Sequence, residues 1–345
     1  MAMPGDRLGA AVVGVGLIGE QHADVYAAYD RANLEFVFDA NPERAQTVAD
    51  RLGCQTAPDL DAIAASDVAL VSVATPDFAH RDAVVTMLEA GKHVLVEKPL
   101  ATTVADAVAM VQAAERNNRL FSVSLGNRWV NDIQELRDCV QSGEIGEPVF
   151  GFSRLSDTVW VPTQMLSWGS QSGPHWFLFP HTMDYMRWII GQEAVSVYAR
   201  GEKRLLPQKS VDAYDFVQAM VEFENCTITF ETSWIVPEGY PAIVEQYLSL
   251  YGTKGKVTLD RSNRGFSLDT EERQLTIRPK MWSYFKTDHS WGNSMRNMVD
   301  CVLDGGEPAI PARDGLAVVA MIEAAERSIE TGQPVEPSAL IAEQM

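Results

Sequence analysis

Near the amino terminus a short apolar strand, Ala10 to Gly14, runs straight into Gly14-Val15-Gly16-Leu17-Ile18-Gly19 and then into a helical pattern from Gln21 to Tyr29. Glycine at the first, third and sixth places of such a turn lets the chain reverse tightly and lets a pyrophosphate approach the backbone. There the free N–H groups and dipole of the helix start favour negative charge. The spacing therefore predicts the first βα unit of a doubly wound, dinucleotide-binding sheet, with Gly14, Gly16, Leu17, Ile18 and Gly19 lining the turn. Twenty residues after Gly19 stands Asp39, at the end of a second strand, Leu34 to Phe38. An acid there accepts hydrogen bonds from the adenosine ribose hydroxyls and repels a 2′-phosphate, which favours NAD over NADP. Arg44, one turn into a helix from Pro42 to Leu52, keeps NADP open as the less favoured cofactor, and a plain surface aspartate is the alternative for Asp39.

The alternation continues. Val68 to Val73 reads as the fourth strand, followed by Ala74-Thr75-Pro76-Asp77 and a helix from Ala79 to Ala90; Gly91 caps that helix and leads into a fifth strand, His93 to Val96. A helix from Thr103 to Asn117 and a sixth strand, Leu120 to Leu125, complete the sheet. The fifth strand ends in Glu97-Lys98-Pro99. A buried strand should not end in an acid and a base unless they face a crevice, because burying either charge unpaired costs several kcal/mol. In an open parallel sheet that crevice lies at the carboxyl ends of the strands, where Thr75 and Pro76 also fall. His80, in the first turn of its helix, is either a capping residue or a cofactor contact.

After Gly126 the pattern changes, so the domain boundary is expected near Leu125, giving a dinucleotide-binding domain over 1–125 and a second domain over 126–345. Candidate strands are Pro148 to Ser156, Val195 to Arg200, Ala213 to Phe223, Thr227 to Ile235, Val244 to Tyr251, Lys256 to Asp260 and Gln274 to Arg278. Several alternate apolar and polar residues, as an open, predominantly antiparallel sheet with one covered face requires. The expected covering helices are Asn131 to Gln141, Pro180 to Ile190, Ser290 to Leu303 and Ala312 to Glu330. The bare face predicts a homo-oligomer, a dimer or a tetramer.

The charge balance sets limits on partners. With 47 acidic against 28 basic residues, net −19, the chain is a poor ligand for nucleic acid or an anionic membrane surface. Four scattered cysteines without CxxC spacing argue for reduced thiols in the cytoplasm and against a metal knuckle. No opening apolar run reads as a signal peptide, and no stretch reaches the length of a membrane span, so a soluble chain without a membrane partner is expected.

One segment of the second half carries chemistry. His181, Asp184 and Trp188, on a helix entered through Pro180, share a face. A histidine and an aspartate near a helix start can position a proton transfer or bind a hydroxyl; a helix-start ion pair or a core polar pair is the alternative. Trp160, Trp168 and Trp176 lie nearby and offer flat faces to a sugar, or simply belong to the core.

With these residues in place the chain resembles the glucose-fructose oxidoreductase, inositol dehydrogenase and rhizopine-catabolism family. The resemblance rests on Gly14 to Gly19, Ala74-Thr75-Pro76-Asp77 with His80, Glu97-Lys98-Pro99, Asn127-Arg128-Trp129, Ser142-Gly143-Glu144-Ile145-Gly146 and His181-Thr182-Met183-Asp184. It continues through Tyr251-Gly252-Thr253-Lys254-Gly255 and the tail from Asp314-Gly315 to Thr331-Gly332-Gln333-Pro334-Val335. It implies a Rossmann domain, an α+β second domain and a nicotinamide at their junction, with Lys98 on the substrate and Asn127, Arg128 and the His181 helix lining the site. Oxidising a secondary alcohol needs a base within about 3 Å of the hydroxyl, a role suited to His181, while Lys98 steadies the developing alkoxide or shares the proton.

The chain departs from the family at two places. Family members acting on sugars or cyclitols often carry an acid four residues before the histidine, where this chain has Phe177, and a glycine two residues before it, replaced by Phe179. His175 is the candidate substitute for the missing carboxylate, with a pocket-wall position as the alternative. The expected activity is an NAD(P)-dependent dehydrogenase acting on a sugar, cyclitol or related derivative. An NAD-dependent glycoside hydrolase working by transient oxidation, or a non-catalytic NAD-bound sensor, are the competing readings.

Overall fold

The computed structural model describes residues 7–261, 265–270, 274–277 and 292–345. Strand and helix alternate first: β1 (Leu8–Val13), α1 (Leu17–Ala28), β2 (Ala32–Phe38), α2 (Pro42–Leu52), β3 (Gln55–Thr56), α3 (Leu60–Ala65), β4 (Leu70–Val73), α4 (His80–Glu89), β5 (His93–Glu97), α5 (Val104–Arg116) and β6 (Phe121–Ser124). The strands pair in parallel in the order β3-β2-β1-β4-β5-β6, a doubly wound sheet whose order reverses between β1 and β4. Helices on both faces bury the strands β4, β5 and β6 almost throughout, which is why Val94-Leu95-Val96 is apolar without alternation. Local sequence sets the helix ends. Asn41 caps α2 through the Glu43 and Arg44 amides, Pro42 sits in its first turn, and Gly53 ends it at φ 72°.

The remaining elements are α6 (Asn131–Gln141), β7 (Pro148–Asp157), α7 (Pro174–Ile190), β8 (Ala194–Glu202), β9 (Phe216–Phe223), β10 (Thr227–Ser233), β11 (Val244–Gly252), β12 (Gly255–Asp260), β13 (Gly265–Thr270), β14 (Gln274–Ile277), α8 (Asn293–Asp304), α9 (Ala312–Thr331) and α10 (Pro337–Ala342). The chain divides into two compact units, Met1–Gly126 with His289–Leu316, and Asn127–Asp288 with Ala317–Met345. In the second, eight strands run β14-β13-β12-β11-β7-β10-β9-β8, antiparallel except for the β7–β10 pair. Helix α7 packs on β7, β9 and β10, and the residues beneath it, such as Val217, Ala219, Val221 and Phe230, are buried. The opposite face carries Phe150 stacked on Tyr251 at 4.5 Å, Phe152 beside Tyr247, and Met220.

The structure departs from the sequence expectation at α8, α7 and β13, and it adds the short helices α3 and α10. The helix expected over the second sheet from Ser290 is α8, and it packs on α1, β5 and β6 of the first unit; Ser290 itself lies outside the described residues. Its apolar stripe, Met295, Met298 and Val299, enters the core with Val12, Tyr26 and Leu34, and Asp300 accepts from Tyr29 and Arg31. An amphipathic stripe shows that a helix buries one face but not against which sheet. Helix α7 starts at Pro174 rather than Pro180, with extended Gly173 at its cap and Pro174 in the first turn, where a missing N–H goes unneeded. Pro180 is carried inside the helix, leaving the Trp176 carbonyl without its helical donor. Strand β13 was not anticipated, and of the strand expected over Gln274 to Arg278, Arg278 falls outside the described residues.

Candidate active site

Of the three glycines in the turn, only the middle one faces open space. Gly14 has φ +83°, and a Cβ on it would press on the Ala74 carbonyl at 2.8 Å and the Thr75 nitrogen at 2.9 Å. A Cβ on Gly19 would run into the Gly14 carbonyl oxygen, so α1 can seat on β1 only with glycine there. At Gly16 a Cβ would meet nothing within 4 Å. Gly16 caps α1 without a side-chain hydrogen bond, so the first N–H groups of the helix are approachable; Leu17 is exposed and Ile18 half-buried. Asp39 faces the same turn: its Oδ2 accepts the Val15 amide at 2.9 Å and its Oδ1 the Asn41 amide at 2.8 Å. The Arg44 guanidinium stands 3.4 Å from both oxygens. An open cradle at a helix start beside an anchored carboxylate fits a dinucleotide with an unphosphorylated ribose.

At the carboxyl ends of β4 and β5 the structure places two histidines. His80 is buried, its Nδ1 2.9 Å from the Pro99 carbonyl and its Nε2 3.0 Å from the Thr75 carbonyl, so it braces the Thr75-Pro76 loop against the turn after Lys98. Burial holds its proton affinity below the ordinary histidine value, against the pull of Asp77 and Glu97. Glu97 is likewise buried, with His22 Nε2 3.0 Å from Oε1 and the Lys98 amide donating to Oε2 at 3.1 Å. Burial pushes this carboxyl up, but the bonds and charge of His22, the Lys98 ammonium and the Ser124 hydroxyl outweigh it and hold the acid below its usual range. Lys98 is half-buried at this edge.

In the second unit α7 carries the chemistry expected of it, in a different arrangement. Arg128 forks onto Asp184, Nε to Oδ2 at 2.9 Å and Nη2 to Oδ1, with both side chains buried. The Arg128 and Arg137 guanidiniums lie over the Trp188 ring at 5.5 and 4.5 Å. The face shared by His181, Asp184 and Trp188 is thus a packed ion pair and cation–π stack, with His181 buried one turn before Asp184 and Asn127 buried beside Arg128 in sequence. His175 is held elsewhere: its Nε2 meets Glu326 Oε1 at 2.7 Å, the Trp176 indole donates to the same oxygen at 2.9 Å, and Tyr214 packs edge-on at 5.5 Å. At the position of the missing acid, Phe177 packs between Trp168 at 6.1 Å and Trp234 at 5.7 Å. A separate cavity of about 350 Å³ is lined by Thr158, Trp160, Glu238, Tyr240 and Ile243.

Sequence reasoning missed His22, Tyr26, Ser72, Ser124 and Glu326. The first two carried a signal, since a histidine and a tyrosine four apart on the buried face of α1 are polar groups that need partners. Burial pushes the Cys226 thiol up to about 11 and raises Cys54 and Cys301, which makes these three poor nucleophiles.

Comparison with known proteins bears on both units. Residues 8–125 match the model of an oxidoreductase family with an NAD-binding Rossmann fold, and residues 137–336 match that family's C-terminal alpha/beta domain. An inositol 2-dehydrogenase of Rhizobium meliloti (strain 1021) is 26% identical over 325 residues, 92% of this chain and 96% of that protein. A 2,7-anhydro-N-acetylneuraminate hydratase of Escherichia coli (strain K12) is 29% identical over 263 residues, 74% of this chain and 68% of that protein. The solved structure of GenD2 from gentamicin A biosynthesis in complex with NAD superposes with a TM-score of 0.81 at 28% identity, covering 96% of each chain.

Proposed function

The chain belongs to the oxidoreductase family of glucose-fructose oxidoreductase, inositol dehydrogenase and the rhizopine-catabolism protein, and from that premise we propose that it is an NAD-dependent dehydrogenase of a sugar, cyclitol or related derivative. The observation that carries the reading is the cradle at Gly16 beside the anchored Asp39 carboxylate, in the same sheet whose fifth strand ends in Glu97 and Lys98. When bound, oxidised nicotinamide supplies a hydride acceptor. Gly14 to Gly19 and Asp39 hold the dinucleotide, with Thr75 and Pro76 at the same sheet edge. Lys98 steadies the negative charge that grows on the substrate oxygen, and His181 takes the hydroxyl proton. The substrate is a small polyol-like molecule with a secondary hydroxyl or ketone. The aromatic packing at Phe177 favours a derivative with an apolar face over a fully hydroxylated cyclitol.

Two further assignments go with this reading. The aromatic face of the second sheet supports a homodimer or homotetramer. The four cysteines, scattered without CxxC spacing, support a cytoplasmic protein.

Absorbance at 340 nm with NAD and a panel of inositols, aldoses and their anhydro and deoxy derivatives tests the activity. NADH accumulates with at least one member, and Lys98→Ala and His181→Ala each lower kcat by about 100-fold or more. Turnover unchanged in both variants overturns these roles, and glycoside cleavage without net NADH points instead to oxidation and re-reduction within one turnover.

A further inference from the structure

A chain of buried hydrogen bonds runs under the carboxyl end of β5. Tyr26 Oη lies 2.8 Å from Ser72 Oγ, Ser72 Oγ 3.1 Å from His22 Nδ1, and His22 Nε2 3.0 Å from Glu97 Oε1. Glu97 Oε2 in turn takes the Lys98 amide at 3.1 Å, and Tyr26, Ser72, His22 and Glu97 are all at most 6% exposed. With Glu97 ionised and His22 neutral, the donor count sets the directions. A carboxylate only accepts, so His22 donates from Nε2; its Nδ1 then accepts from Ser72, whose oxygen accepts from Tyr26. Each hydrogen is used once, and four elements, α1, β4, β5 and the Ser124 hydroxyl of β6, are tied to one carboxylate.

Glu97 is not a solvated strand end, because it is buried and its carboxylate is held by His22 and the Lys98 amide. Nor does it serve the fold cheaply, since a buried carboxylate is costlier than the apolar residue that would fill the same space. What it does hold is the amide of the residue that follows.

We propose that His22 is a positioning residue: by fixing the Glu97 carboxylate it fixes the Lys98 backbone, so that the ammonium of Lys98 is presented from one orientation of the strand end. The inference rests on the dehydrogenase reading for the role of Lys98, and on the hydrogen bonds alone for the role of His22.

Two substitutions separate positioning from space filling. Glutamine at position 22 places an amide N–H where Nε2 stands and keeps the bond to Glu97; asparagine places its amide near Nδ1, keeps Ser72 and loses Glu97. The titratable groups around the carboxylate are His22, with Tyr26 beyond it on α1, His80 on α4 and Lys98. In His22→Asn the desolvated carboxylate keeps Ser124 and the Lys98 amide but loses its imidazole donor, so burial dominates and its proton affinity rises above that of the unfolded chain. That penalty is present near neutral pH and relieved as pH falls.

The experiment measures the thermal midpoint of the cofactor-free proteins from pH 5 to 8, then steady-state kinetics on a substrate found at 340 nm. The expected result is that at pH 8 His22→Asn melts about 3 °C or more below His22→Gln, with that gap shrinking by half or more at pH 5; both variants lack the imidazole, so its own titration cancels between them. His22→Asn loses about 10-fold in kcat with KM for NAD within twofold, and His22→Gln retains most of the turnover. Equal losses in both variants, or a gap between them that does not change with pH, overturn the proposal. If the melting pattern appears but Lys98→Ala turns over normally, the bond to Glu97 stands and the catalytic role given to Lys98 fails.

Discussion

Gly16 and Gly19 occupy the same turn for opposite reasons. Alanine at 19 drives a methyl into the Gly14 carbonyl, a clash between backbone atoms that no rotamer relieves; alanine at 16 meets only empty space. Gly19→Ala should therefore cost about 1–3 kcal/mol or more of stability and drop the melting temperature by several degrees. Gly16→Ala should melt within about 2 °C of wild type yet bind NADH, followed by its fluorescence, at least about 10-fold more weakly, because the methyl stands where the backbone must be approached. Normal NADH affinity in Gly16→Ala removes the turn from the binding site. These glycines were legible in the sequence because their roles depend on spacing within one turn. The Glu97–His22 bond was not: its partners lie 75 positions apart, and a lone histidine on a helix has the same sequence signature whether it fills space or holds a carboxylate.

Among the elements, α7 and α9 are joined at a point that also hides from sequence. The aromatic run from Trp176 to Phe179 announces a buried helix, yet nothing in it says that His175 and Trp176 both donate to one carboxylate on α9. Those bonds make His175 a clamp between the two helices. Burial pushes the Glu326 carboxyl up, but the bonds from His175 and Trp176, with the Lys203 charge, bring it below the ordinary range. A depressed carboxyl gives stability that is fully present above the unfolded value, near 4.3, and lost as pH falls through the folded one. Glu326→Gln should accordingly cost about 1–3 kcal/mol at pH 7 in urea unfolding, and the gap to wild type should narrow below about pH 4. A gap that stays constant down to pH 3 would show that the carboxylate charge contributes nothing to the clamp.

For the whole molecule, the exposed face of the eight-stranded sheet is the feature that an isolated chain does not explain. Rows of residues across β9, β10, β7 and β11 bring Met220, Phe152, Phe150 and Tyr251 onto one surface, where Phe150 is 51% and Met220 44% exposed. Arg154, paired with Glu231 and Glu245, sits among them and gives the patch a polar register that a self-complementary contact can read. A second copy of the same face would bury the aromatic rows and could pair such charges across a two-fold axis. The net charge of −19 per chain opposes that association, and salt screens it. Sedimentation at micromolar protein should therefore give a dimer or tetramer whose dissociation constant falls as NaCl rises from 50 to 300 mM. Phe150→Glu combined with Met220→Glu should leave the circular dichroism spectrum unchanged and yield monomers, because the introduced carboxylates would be desolvated against their own copies. A wild-type chain that sediments as a monomer at 50 µM overturns the assignment of this face to self-association, and a double variant that keeps the native mass moves the contact to another surface.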